Sequence, residues 1–172
     1  RLAGPSSVSA LLCAGPVRGG LAPSTVMGCA AFAAGSGSSV ATAVTIGKVA
    51  LPEMKRFNYS DGLATGSVAA GGTLGVLIPP STGFVLYAIL TEESIGKLFI
   101  AGIVPGLLLS ALFVLVIIGI TLFKPDEGPA GPVTTMAEKL GASVSALPLI
   151  SVILVSIGGI YLGVFTPVEA AG

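Results

Sequence analysis

Charged residues divide this chain into long apolar windows. Residues 19–47, 62–91, 98–123 and 140–168 carry no Asp, Glu, Lys or Arg. Each window exceeds the ~20 residues that a membrane-spanning helix needs. The windows differ in character. Residues 98–123 form a plain lipid-compatible span, with Pro105 near one end as a kink, and residues 141–164 read as a similar span. The first two windows are rich in Gly, Ala, Ser and Thr, which pack helices closely against each other and do not seek lipid. They are expected inside a bundle.

Both small-residue windows are interrupted. Gly35-Ser36-Gly37-Ser38-Ser39 sits midway along the first, and a helix does not run easily through that run. The second contains Gly71, Gly72 and Gly75 and then Pro79-Pro80. Prolines remove backbone donors, and lipid offers no substitute partner for the groups they release. The expected architecture is therefore an all-α polytopic membrane protein. It holds a re-entrant helical hairpin at 19–47, tip near 35–39, and a discontinuous transmembrane helix at 62–91, broken near 71–81. Loops are expected at 48–61, 92–97 and 124–140, the last with a short interfacial helix. Residues 1–18 read as the end of a preceding helix.

The positive charges favour the hairpin. If all four windows cross, Arg1, Arg18 and Lys97 share one side, and Lys48, Lys55, Arg56, Lys124 and Lys139 share the other. If the first window turns back, only Lys97 remains outside, beside Glu92 and Glu93. The second arrangement obeys the positive-inside rule far better. It puts loops 48–61 and 124–140 in the cytoplasm and 92–97 in the periplasm.

Composition agrees with a membrane protein. Of 172 residues, 53% are apolar and 9% charged, against about 25% charged in soluble domains. Formal net charge is zero, so nothing points to a nucleic-acid partner. The chain has no His, which removes Ser-His-Asp and Cys-His catalysis and the usual zinc sites. No enzyme activity or cofactor is expected. Cys13 and Cys29 form no CxxC pair and read as small apolar residues. The spacings Gly62/Gly66, Gly102/Gly106 and Gly159/Gly163 read as ordinary close-packing positions.

Two interrupted segments in succession point to a secondary transporter. Oxygens of Ser36, Ser38, Ser39 and the tip backbone suit a hard cation, and the N-terminus of a half-helix suits an anionic group. A kink formed only for packing accounts equally well for the tip taken alone.

The ordered motifs Ser36-Gly-Ser-Ser-Val-Ala-Thr42, Gly47-x4-Pro-Glu-Met54, Tyr59, Gly71-Gly-Thr-Leu-Gly-Val-Leu-Ile-Pro-Pro-Ser81, Phe99-x-Ala-Gly-x-x-Pro-Gly-Leu107 and Phe165-Thr-Pro-x-Glu-Ala-Ala171 resemble the large membrane subunit of TRAP transporters, the DctM family. The resemblance covers residues 19–172. It implies the first of two inverted repeats in an elevator-type member of the ion-transporter superfamily. It also implies Na⁺-coupled import of organic anions, such as C4-dicarboxylates or sialic acid, across the bacterial inner membrane. A periplasmic binding protein and a small DctQ-like membrane subunit are the implied partners. Carried over by motif, a Na⁺ site would involve Ser36, Gly37, Ser38, Ser39, Gly72, Thr73, Gly75 and Pro79. Substrate contacts would fall at Ser39, Thr42 and Ser81. The chain is expected to be an internal piece of a longer protein, with residues 165–172 opening a second repeat. Two other readings stay open: a Na⁺- or H⁺-coupled anion symporter of the same superfamily that needs no binding protein, and a membrane assembly subunit that transports nothing.

Overall fold

The computed structural model describes residues 19–129 and the single positions Ser151, Val155, Gly158 and Gly159. The expectations for residues 1–18, the interfacial helix, the span at 141–164 and the start of a second repeat lie outside the described residues. Within 19–129 the fold is all-helical. Its helices are α1 (Leu21–Ser36), α2 (Ser39–Arg56), α3 (Asp61–Leu77), α4 (Thr82–Thr91) and α5 (Ile95–Phe123).

Helices α1 and α2 make an antiparallel hairpin. At its base, Thr25 Oγ1 lies 3.9 Å from Met54 Sδ; near its tip, Ser36 Oγ and Thr42 Oγ1 are 3.0 Å apart. The turn is made by two residues with opposite talents. Gly37 ends α1 in the left-handed region, φ 59°, and its N–H returns to Ala33 O. Ser38 is extended, and its Oγ accepts from Ala41 N to cap α2. With 16 residues, α1 rises about 24 Å, less than the ~30 Å of a bilayer's hydrocarbon core.

Residues 48–56 correct the expected boundary. They continue α2, leaving only residues 57–60 between α2 and α3. Lys, Met, Glu and Arg are good helix formers, and Lys55 and Arg56 in the last turn oppose the negative helix end. Tyr59 and Ser60 then redirect the chain. The Tyr59 hydroxyl accepts from Leu21 N at 3.2 Å, an orphan donor at the start of α1. Ser60 Oγ accepts from Leu63 N and caps α3.

Helix α3 is the centre of the bundle, packed on α1, α2, α5 and α4. Its glycines allow this. A Cβ on Gly71 would lie 2.8 Å from Cys29 Cβ, and one on Gly72 would lie 2.8 Å from Ala43 Cβ. Here the structure narrows the expected break. Gly71, Gly72 and Gly75 are helical, and the interruption is confined to residues 78–81. The helix-weakening effect of these glycines is small against the close packing that they permit. The Pro79–Pro80 peptide is cis.

The core joins Val26, Cys29, Ile46, Met54, Leu63, Val68, Leu74 and Ile117. Outward, α4 and α5 present Leu86, Ile89, Leu90, Val104, Leu107, Leu108 and Leu115, all exposed. Among the described residues, two segments are long and apolar enough to cross a membrane: Asp61–Thr91, which includes the break, and Ile95–Phe123, with mean hydropathies of 1.6 and 2.8. Beyond α5 the chain folds back on the hairpin base. Ser60 N donates to Glu127 O at 3.0 Å and Gly19 N to Pro129 O at 3.3 Å.

Candidate functional site

The hairpin tip and the break in the second window touch. Gly37 O accepts from Thr82 N at 3.3 Å and from Thr82 Oγ1 at 3.2 Å. Gly37 also faces Pro80: a Cβ there would stand 2.6 Å from Pro80 O. On the α3 side, a Cβ on Gly75 would lie 2.7 Å from both Ser38 C and Ser39 N. A Cβ on Gly72 would lie 3.4 Å from Ser39 O. Any side chain at Gly37 or Gly75 would hold the two breaks apart.

Four helix ends therefore converge: the C-termini of α1 and α3, and the N-termini of α2 and α4. Each N-terminus carries about half a positive charge, and each C-terminus about half a negative charge. No formal charge lies in either window, so these ends set the local field. Carbonyl oxygens of the C-termini suit a cation, and free N–H groups of the N-termini suit an anion. Among the described residues no cluster of His, Cys, Asp or Glu could hold a metal ion, and the donor set here is of backbone and hydroxyl oxygens.

The residues singled out from the sequence separate into two groups. Ser36, Gly37, Ser38, Ser39, Gly72, Gly75 and Pro79 lie at or beside the junction. Thr73 does not. It is exposed on the other flank of α3, and its hydroxyl bonds Ala70 O at 2.7 Å. Gly72 and Gly75 share the flank that meets the tip, and Thr73 is about 100° around the helix from Gly72.

Thr42 and Ser81, expected at a substrate wall, have their hydroxyls engaged within the chain. Thr42 is fully buried and donates to Ser38 O at 2.7 Å. Ser81 is buried, donates to Val76 O at 2.6 Å and accepts from Phe84 N at 3.3 Å. Thr42 fastens the tip to α2. Ser81 fastens the end of α3 to the start of α4.

Thr82, Gly102 and Gly106 were not singled out as site residues. The signal for Thr82 is a Ser-Thr pair following Pro-Pro, where a helix can restart. Gly102 and Gly106 were visible only as a packing pair.

Comparison with known proteins gives the context. The sequence model described as "Tripartite ATP-independent periplasmic transporter, DctM component" matches residues 9–172. The chain is 46% identical over 159 residues, 92% of its length and 37% of the relative's, to the C4-dicarboxylate TRAP transporter large permease protein DctM of Pseudomonas aeruginosa. It is 42% identical over 162 residues, 94% of its length and 35% of the relative's, to the protein of the same name in Vibrio cholerae. The ectoine TRAP transporter large permease protein TeaC of Halomonas elongata is 40% identical over 159 residues, 91% of this chain and 36% of that protein. The chain thus spans about a third of the length of these curated relatives. On this evidence of sequence and order of motifs, the chain belongs to the DctM family of TRAP transporter large permease subunits.

Proposed function

We propose that this chain is part of a permease that imports an organic anion across the bacterial inner membrane in company with Na⁺, as one subunit of a three-part system. The observation that carries the reading is the junction of tip and break, where two helix C-termini and two N-termini meet without a fixed charge. Cation and carboxylate can each find a helix end of the right sign there. The short, Gly-turned α1–α2 hairpin supports a re-entrant element, since α1 is too short to span. Its tight seat on α3 supports movement of hairpin and broken helix together, as in an elevator. The family description, tripartite and periplasmic, supports a periplasmic binding protein and a small membrane subunit as partners. Relatives carry names for C4-dicarboxylate and ectoine transport, so the cargo class proposed is a small carboxylate, with sialic acid as a further candidate.

The test is uptake by the full-length protein, reconstituted in liposomes with its small subunit and binding protein. Labelled succinate, sialic acid and ectoine would be offered with Na⁺, with K⁺, or with a proton gradient. Uptake that needs Na⁺ and the binding protein is expected. Uptake that ignores Na⁺ would overturn the coupling. Uptake without the binding protein would favour a stand-alone symporter, and an absence of transport for every carboxylate would favour an assembly subunit.

A further inference from the structure

The break is held from two sides. One side is the hairpin tip. The other is the first half of α5, where Phe99, Gly102 and Gly106 are buried. The residues that bound the break rest on this face. A Cβ on Gly102 would collide with the Phe84 ring, 2.7 Å from Cζ, and would lie 3.0 Å from Leu77 O. A Cβ on Gly106 would lie 3.1 Å from Ile78 Cγ1. Phe84 sits tilted at 49° to Phe99, ring centres 6.5 Å apart. Leu77 and Ile78 belong to the α3 side of the break and Phe84 to the α4 side. All three are therefore indexed on one strip of α5.

That strip is linked to the tip through short polar connections. Phe84 N donates to Ser81 Oγ, and Ser81 Oγ donates to Val76 O. The adjacent Thr82 donates twice to Gly37 O. The Phe84 backbone, the Ser81 bridge and the Gly37–Thr82 bonds thus form one connected set, and the Leu77 carbonyl, being main chain, cannot swing aside from α5. We infer that Gly102 is a positioning residue for the cation site. By admitting the Phe84 ring and the Leu77 carbonyl against α5, it fixes how the end of α3 and the start of α4 meet the tip. The inference rests on the junction being the Na⁺ site.

Gly102→Ala in the full-length transporter tests it. The expected result is normal membrane abundance with a Na⁺ half-saturation constant for uptake raised about tenfold, because oxygen ligands misplaced by a fraction of an ångström bind poorly. Substrate KM measured at saturating Na⁺ should stay near the wild-type value. Adding Phe84→Leu removes the ring atoms that a new methyl meets, and should restore most of the Na⁺ affinity. Gly106→Ala, with the milder contact, should shift the constant in the same direction by less, and it decides the matter if Gly102→Ala fails to accumulate. An unchanged Na⁺ constant in the variants that accumulate, with wild type Na⁺-dependent, overturns the positioning role alone. A wild type without Na⁺ dependence overturns the underlying reading and this inference with it.

Discussion

The carbonyl oxygen of Gly37 accepts two hydrogen bonds from a single residue, Thr82, one from its amide and one from its hydroxyl. The pair joins residues 45 apart in sequence and closes the hairpin tip on the start of α4. Thr82→Val keeps the shape and the amide but loses the hydroxyl. The expected cost is about 1 kcal/mol of stability, read as a lower thermal midpoint of the purified full-length protein. Thr82→Ser should stay near wild type. Equal midpoints for all three would show that the hydroxyl bond is immaterial.

Gly75 admits the tip backbone where a methyl cannot fit, 2.7 Å from Ser38 C and Ser39 N. The obstructing atoms are main chain, so they cannot swing aside. Gly75→Ala should cost about 1–3 kcal/mol by overpacking and, under the proposed function, reduce Na⁺-dependent uptake about tenfold or more at equal membrane abundance. Gly119→Ala is the control, because among the described residues nothing beyond its chain neighbours and its own helix backbone lies within 4 Å of a Cβ there. Equal transport by both variants would remove the close approach from the account.

Ser81 uses its hydroxyl twice, toward Val76 O and from Phe84 N. Ser81→Ala leaves a carbonyl without its donor and a helix start without its cap. A loss of about 1–2 kcal/mol follows from the cap alone, measurable by thermal unfolding in detergent. A midpoint within error of wild type would contradict the bridging role.

Tyr59 caps the start of α1 from the α2–α3 connection. Burial pushes its phenol above the usual value, and the Leu21 amide opposes this only in part. Its folded value being the higher one, the hydroxyl's contribution is complete below the ordinary phenol pKa of about 10. It fades as pH climbs through the raised value. Tyr59→Phe should therefore lower the thermal midpoint by an amount that does not change between neutral and mildly alkaline pH, about 1 kcal/mol in stability. A difference that varies with pH across that range would contradict the sign.

Much of this fold is readable from residue order. The Gly-Ser-Gly-Ser-Ser run located the tip because a left-handed Gly37 and a capping Ser38 are what a helix-to-helix reversal requires. Pro79-Pro80 located the end of α3 for an equally local reason. The glycines upstream of the prolines misled, since the same lack of Cβ serves a turn or a tight helix contact, and only the neighbours decide which. Residues 48–56 looked like a loop because they are charged, yet charge on an exposed helix end costs little. Thr73 was grouped with its neighbours in sequence, although helical rotation separates it from Gly72 and Gly75. The socket on α5 could not be read from sequence, because it depends on where Phe84 and Leu77 arrive in space.

The junction contains no ionisable side chain, only the ends of helices. Under the proposed function, this part of an empty site brings no net charge of its own into the membrane's electric field. Under the proposed coupling, the charge at this junction would be that of its bound ions alone, so voltage would act here through the cargo and not through the protein's side chains.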